Sequence, residues 1–480
     1  MIQRDSMRLF AFVIFLVSIL SSCTDDPIVI DDPVIDQPIS ELIVPAVSEG
    51  DIDLTHDWYN LYLDIEKDLE DFRPNPTARA LGYIGIAAYE AVVPGMYDLH
   101  SISTVLADYT SVGDDPLDKT IWSLRVESSL YWEAVLNHVY RETFTYFLHS
   151  MNEAQRFDVE QLYLSHAQRI NSQMSTAGYQ DALDRANLIA SSVIQYAQSD
   201  IESEIQVHDV EPEGYTPPSG VGYWQPTQPD FRNACHPYWY RVRKFVTPDT
   251  AVSFIPPAVY SEEPDSRFYQ EALEVNDVVA NLDHEGRWIA EFWSDDIVGI
   301  TFSPPARQIA IANQLIKVAN SDLQEVIEMY MRLGIALNDA AVTCWQGKYE
   351  YNLERPIDYI RRVINPDFTT ILGDAEGIPS QNPNFPAYPS GHSTFASAGA
   401  AIFEEFFSLG VREFTDRCHE DETLFIGTPR TYTNFHIMAR ENAYSRIPLG
   451  VHFRMDCDEG LRLGYIVGDY ATRFSLRQEL

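Results

Sequence analysis

Between Asp51 and Thr472 the chain repeats apolar residues at helical spacing and nowhere sustains the alternation that a half-buried strand requires. Ala78–Val93 is rich in alanine, with apolar residues three and four apart. Asp118–Leu148, Glu153–Gln198, Glu262–Asn281, Arg287–Asp295 and Ala306–Ala319 read the same way, and Ser321–Gly347, Gly391–Leu409, Asn434–Tyr444 and Asp458–Thr472 continue the series. Proline-rich stretches separate them, notably Glu211–Pro229 and Pro379–Pro389, and there is no internal repeat of fixed period. This pattern predicts an all-α protein of packed helix bundles joined by long proline-rich loops. The break near Gly299–Pro305 divides an expected amino-terminal helical half, residues 51–300, from a carboxy-terminal bundle, residues 301–480.

The first fifty residues have a different character. Arg4 and Arg8 precede an apolar run from Leu9 to Leu20, too short for a comfortable membrane span but suited to a signal-peptide core. The run ends in Leu20-Ser21-Ser22-Cys23, which resembles a bacterial lipobox with Cys23 as the acylated residue. A plain secretory signal with a coincidental cysteine is the alternative. Residues 24–50 mix acids, prolines and β-branched residues and read as an acidic flexible tether. The expected location is therefore outside the cytoplasm: lipid-anchored at the bacterial outer membrane or cell surface, periplasmic or extracellular. With 33 basic against 72 acidic residues, the net charge is −39. Such a surface repels nucleic acids and anionic lipid, so small anions can bind only where the few cations are gathered. Cys235, Cys344, Cys418 and Cys457 lack metal-ligand spacing. A Cys418–Cys457 disulfide and buried free thiols are equal expectations.

Three segments gather cations and histidines. In the first, Lys348-Tyr349-Glu350-Tyr351-Asn352-Leu353-Glu354-Arg355-Pro356, the spacing of Lys348 and Arg355 is close to two helical turns. Both side chains then leave one face, about 10 Å apart along the axis, and can converge on one anion. Taken alone, it reads more readily as a solvated face with Glu350 and Glu354 as partners. The second, Phe385-Pro386-Ala387-Tyr388-Pro389-Ser390-Gly391-His392, leads from a proline-rich loop into a helix at Ser390 or Gly391. A helix start presents unpaired N–H groups to an oxyanion, Gly391 permits close approach, and His392 can exchange protons one turn away. Ser390 also suits a plain N-cap. The third, Ser445 to Asp456, adds Arg446 and His452, with Asp456 four residues beyond His452 and able to orient its ring. A core histidine paired with a carboxylate is the ordinary reading of that pair. Together, three cations neutralise a multiply charged anion from three sides. Ser390 and the Gly391 N–H approach its equator, leaving His452 for the central atom and His392 for proton traffic.

These residues resemble the tripartite signature of the type 2 phosphatidic acid phosphatase and vanadium haloperoxidase superfamily: Lys-x6-Arg-Pro, Pro-Ser-Gly-His and Ser-Arg-x5-His-x3-Asp, complete and in order from about Ala341 to Leu463. In the haloperoxidase branch the resemblance implies vanadate, V5+, with its oxygens held by Lys348, Arg355, Ser390, Gly391 and Arg446. It implies His452 bonded to vanadium and His392 as the acid–base residue. The implied reaction uses hydrogen peroxide to oxidise a halide to hypohalous acid through a peroxovanadate polarised by Lys348, the metal acting as a Lewis acid. Small organic molecules are compatible acceptors.

The phosphatase branch is the alternative: an exported acid phosphatase acting through a phosphohistidine at His452, oriented by Asp456. Trp345 and Phe385 tilt the reading toward a haloperoxidase, since they resemble the apolar halide pocket of that branch, although each also suits a core aromatic. Chain length points the same way. Iodide or bromide, more easily oxidised than chloride, is the expected halide. A non-catalytic surface lipoprotein with an aromatic binding face gives no reason for three cations and two histidines at these spacings. Asp295 and Asp296 are candidates to orient Arg446, with an exposed helix end as the equal alternative. His436 has no spacing that ties it to the site.

Overall fold

The computed structural model describes residues 45–109, 126, 128–372 and 382–477. The signal run, the lipobox and residues 24–44 of the tether lie outside the described residues, as do 118–125 and 127 of one expected helix and 379–381 of one expected loop. Residues 45–50, expected to close the tether, instead dock on the domain. Val47 is fully buried and the Pro45 carbonyl accepts the Trp132 indole N–H at 2.8 Å.

The described chain is all-α. In order it runs α1 (Asp53–Glu66), α2 (Asn75–Val92), α3 (Leu130–Phe147), α4 (Glu153–Asn171), α5 (Thr176–Gln198), α6 (Ile201–Gln206), α7 (Arg267–Ala280) and α8 (His284–Phe292). After these come α9 (Pro304–Ala319), α10 (Leu323–Tyr351), α11 (Pro356–Val363), α12 (Gly391–Phe407), α13 (Phe435–Ser445) and α14 (Arg454–Arg473). The expected helix Glu153–Gln198 is two helices, because Ser175 caps α5 by accepting the Gly178 N–H. The expectation of no strand fails in one place. Phe414–Asp416 (β1) and Arg430–Tyr432 (β2) pair antiparallel, each too short to show alternation.

Two helices organise the core. Every residue of α2 is buried, as expected for a helix without a polar face. It packs along α10, whose 29 residues span about 44 Å at 1.5 Å per residue. Asp339 of α10 accepts the N–H groups of Phe245, Val246 and Thr247 at 2.6, 3.0 and 2.8 Å, pinning the long 207–266 connection to this helix. A second close pair, α12 and α14, sets the site. A Cβ at Gly460 would come within 2.5 Å of the Ser390 carbonyl, and one at Gly464 within 2.2 Å of the Thr394 carbonyl. The two glycines let α14 lie directly on the first turns of α12, which brings Ser390 and His392 beside the start of α14. Among the described residues no helix is long and apolar enough to cross a membrane.

Candidate active site

Each cation enters from a different element. Lys348 sits in the last turn of α10, which ends at Tyr351 because Asn352 turns left-handed at φ 46°. Arg355 lies beyond that break, extended, as the N-cap of α11 with Pro356 at the first helical position. The expectation that Lys348 and Arg355 leave one helical face is therefore wrong. They converge because the helix stops between them. The solvated-face alternative also fails, since both are essentially fully buried and Glu354 pairs with Arg362 at 2.9 Å instead. Arg446 follows α13 as its C-cap, 1% exposed.

The second segment folds as expected. Ser390 is the N-cap of α12, its hydroxyl accepting the Ser393 N–H at 3.4 Å, and its own N–H donates to the Asp456 carbonyl at 2.9 Å. Gly391 opens the helix with His392 next. A Cβ on Gly391 would meet nothing nearer than the Trp345 ring at 3.5 Å, an ordinary contact. Packing does not demand glycine there; a side chain would fill the adjoining cavity. His452 precedes α14, and Asp456 lies in its first turn, accepting the Phe453 N–H at 3.0 Å while standing 3.0 Å from His452 Nδ1. The pair is made by a helix start rather than by one helical face. Arg355 Nη1 lies 3.3 Å from His452 Nε2. Since guanidinium can only donate, Nε2 accepts, so Nδ1 carries the proton and gives it to Asp456.

These side chains enclose a cavity of about 470 Å³, walled by Gly391, His392, Arg446, His452, Trp345 and Phe385. Lys348, Arg355 and Ser390 stand behind this wall. Trp345 and Phe385 pack at 5.1 Å, and both Lys348 Nζ and the Arg355 guanidinium lie 4.9 Å from the centre of the Phe385 ring.

The electrostatics are one-sided. Burial is the largest influence throughout: it lowers Lys348, pulls Arg355 down to about 9 and Arg446 to about 10. Burial and then the neighbouring cations hold His392 and His452 well below the usual imidazole range, so both are neutral near pH 7. Among the described residues no carboxylate forms an ion pair with Lys348, Arg355 or Arg446. Arg355 Nη2, Arg446 Nε and His392 Nε2 are buried and have no hydrogen-bond partner within the chain. Lys348 differs. Its three N–H groups donate to the carbonyls of Pro386, Ala387 and Pro389 at 2.9, 3.1 and 2.6 Å, fastening the loop that leads into α12.

Asp295 and Asp296 both line the cavity and are not an exposed helix end. Asp296 pairs with Arg73 at 3.2 Å, whereas both Asp295 oxygens lack a hydrogen-bond partner and one lies 3.8 Å from His419. Neither carboxylate bonds to Arg446, which donates to the Trp293 carbonyl at 3.0 Å. His436 bonds Tyr465 at 2.9 Å, away from the site. All four described cysteines are free thiols. The expected Cys418–Cys457 bridge is absent because Cys418 packs near Gln314 against the main core, while Cys457 belongs to a separate cluster around Phe453. Arg73, Arg232 and Cys235 on the cavity wall, and His419 beside Asp295, carried no motif in the sequence.

Residues 328–478 match the family model of the VCPO second helical-bundle domain. A vanadium chloroperoxidase of Curvularia inaequalis is 26% identical over 283 residues, covering 47% of this chain and 46% of that protein, so the match spans about half the relative's length. Among solved structures, the first bacterial vanadium-dependent iodoperoxidase superposes with a TM-score of 0.76 at 24% identity, covering 89% of this chain and 98% of that one. A holo-type bacterial vanadium-dependent chloroperoxidase follows with a TM-score of 0.64 at 16% identity, over 85% and 93% of the two chains. The carboxy-terminal bundle thus matches a domain of the vanadium chloroperoxidases, and the fold is the one shared by the bacterial vanadium-dependent iodoperoxidase and chloroperoxidase.

Proposed function

We propose that this protein is a vanadate-dependent haloperoxidase that uses hydrogen peroxide to oxidise iodide or bromide, ahead of chloride, to hypohalous acid. One observation carries the reading. Arg446 and His392, each with a buried unpartnered nitrogen, belong to a cavity wall that also holds His452 and the Gly391 helix start. Arg355, behind that wall, leaves Nη2 unpartnered while its Nη1 lies 3.3 Å from the accepting Nε2 of His452. That donor set fits a tetrahedral oxyanion whose central atom takes a nitrogen ligand.

Arg355, Arg446 and the Gly391 N–H would hold vanadate oxygens, with Ser390 placing that N–H and His452 bonding the metal. Bound vanadate supplies a Lewis-acid centre that activates peroxide toward a halide nucleophile. Asp456 holds the proton on His452 Nδ1 and so keeps Nε2 free for the metal. His392, neutral and with an unpartnered Nε2, takes a proton from incoming peroxide and returns one to the departing oxygen. Lys348 joins the anion only by releasing one of its three carbonyls. In the structure it is first the fastener of the 386–389 loop. Trp345 and Phe385 exclude water from one side, which favours a large, weakly hydrated halide.

Iodide is the halide most easily oxidised, and the iodoperoxidase named above is a structural neighbour over nearly its whole length. Export and lipid anchoring at Cys23 belong to the same proposal, and the mass of the mature amino-terminal peptide from membranes tests them.

The functional test is a paired assay on protein freed of phosphate and reloaded with orthovanadate. One arm follows peroxide-dependent triiodide formation and the other, without vanadate, release from para-nitrophenyl phosphate. Iodide oxidation that needs vanadate and disappears in His452→Ala is the expected result. Phosphate release that vanadate inhibits, with only feeble oxidation, would move the chain to the phosphatase branch with His452 as nucleophile.

A further inference from the structure

We propose that the Cys235–His236 pair is a thiol modification site for hypohalous acid formed in the cavity, an inference that rests on the functional reading above. Cys235 lies on the wall of the cavity that also presents His392 Nε2 and Arg446 Nε, both buried and without partners in the chain. The other described cysteines do not line that cavity: Cys344 is held under the Pro389 carbonyl, Cys418 sits beside Gln314, and Cys457 is buried against Phe453 and its neighbours.

The Cys235 thiol is not an isolated group. Its sulfur lies 3.1 Å from His236 Nδ1, and His236 is fully buried with Nε2 unpartnered. Burial brings the His236 ring down to about 3, so near pH 7 it is neutral, and the tautomer with its proton on Nε2 turns the Nδ1 lone pair toward the sulfur. Burial also pushes the Cys235 thiol well up, so the resting group is a thiol and not a thiolate. That combination discriminates between oxidants. Hydrogen peroxide reacts with the thiolate, which is scarce here. Hypohalous acid offers an electrophilic halogen to the sulfur while His236 accepts the proton.

The step balances as follows. Sulfur attacks the halogen, an S–halogen bond forms and the O–halogen bond breaks. The departing hydroxide takes the thiol proton from His236 and leaves as water. A second water then attacks sulfur, releasing halide and a proton and leaving a sulfenic acid. Sulfur loses two electrons and the halogen gains them. The result bears on the site, because the Cys235 carbonyl accepts both the Trp345 indole N–H at 3.3 Å and the Tyr349 hydroxyl at 2.6 Å. Oxidation would place a polar oxygen on the residue that holds the Trp345–Phe385 wall.

The test uses the full vanadate-loaded protein, with dimedone added to trap sulfenic acid only after each oxidant pulse has been consumed, since hypobromous acid brominates dimedone itself, and is read by peptide mass spectrometry. Three arms are run: peroxide with bromide, peroxide alone, and added hypobromous acid. The expected result is a dimedone adduct on the Cys235 peptide, ahead of Cys344, Cys418 and Cys457, in the first and third arms and not the second. His236→Asn, a residue that tolerates the left-handed backbone at φ 52°, should slow adduct formation. Halide oxidation with Cys235 still a thiol, or equal labelling of all four cysteines, overturns the proposal. If bromide is not oxidised, the functional reading fails by itself, and the hypobromous acid arm decides: selective labelling keeps the site, unselective labelling removes it.

Discussion

Arg307 and Arg446 are both buried, 0% and 1% exposed, and the chain treats them in opposite ways. Arg307, on α9, pairs with Asp416 at 2.8 Å and lies 4.9 Å from the centres of both the Phe292 and Trp293 rings. The carboxylate beside it makes its guanidinium more basic than usual, and Asp416 in turn falls below the ordinary carboxylate range. Arg446 and Arg355 have no such carboxylate, and burial weakens both. The buried acids repeat the contrast. Asp339 is closed by three backbone N–H groups, whereas Asp295 faces the cavity with both oxygens unpartnered. Away from the site the fold neutralises its buried charges internally. At the site it leaves them open, a cost in stability that an incoming oxyanion offsets.

The sharpest way to break this contrast is Arg307→Met. It strands Asp416 in the core and should cost about 3–5 kcal/mol of folding free energy, read by urea denaturation. Arg446→Met removes a buried cation that makes no direct ion pair, though Asp295 and Asp296 lie in its field. It should lower vanadate-dependent halide oxidation by about 10²–10³ yet leave the vanadate-free protein at least as stable as the parent. Addition of orthovanadate should raise the parent's melting temperature more than the variant's. A loss of stability as large as that of Arg307→Met would dissolve the distinction.

Asp456→Asn sharpens it further. The variant keeps the shape but weakens the hold on the Nδ1 proton of His452, and should loosen vanadate by about 10–100-fold. The measurement is vanadate retained after dialysis, set against the urea midpoint. A retention equal to the parent's would mean that Arg355 alone orients the ring.

The helices were legible because apolar period and caps agree, and their errors are instructive. The Glu153–Gln198 pattern hid a turn whose only marker is the Ser175 cap. The Lys348–Arg355 spacing suggested one face, yet the Asn352 left-handed turn and Pro356 end the helix between them. The site motifs were legible because each holds its anion-facing group next to a chain break: a helix end, a helix start or a cap. Cys235, Arg73 and Arg232 were not, since they reach the cavity from distant segments whose convergence depends on tertiary packing. Asp295 was half legible. Its neighbourhood was right, but the carbonyl of Trp293, which any sequence could supply, takes the bond to Arg446.

The smallest effect tests whether the open cations, and not burial alone, set the histidines. His236 and His392 are both neutral and depressed below their ordinary value of 6.5, but by different means. Burial is the sole cause at His236; at His392 the cations Arg446, Lys348 and Arg355 add to it. With folded values below the unfolded one, the unfolded chain binds more protons between the two. Stability is therefore full above about pH 6.5 and falls as the pH drops through that window, by up to about 1.4 kcal/mol per pH unit for each histidine. An anion bound among the arginines cancels the cationic share at His392 and leaves His236 untouched. Unfolding free energy measured from pH 7.5 to about 5 should thus show a shallower acid slope with orthovanadate than without it. His392→Gln should shrink that difference to the share of His452, which the same cations depress, while His236→Asn should keep it whole. Equal slopes with and without the anion in the parent protein would mean that burial alone holds His392 neutral, and the open cations would then play no part in setting its proton.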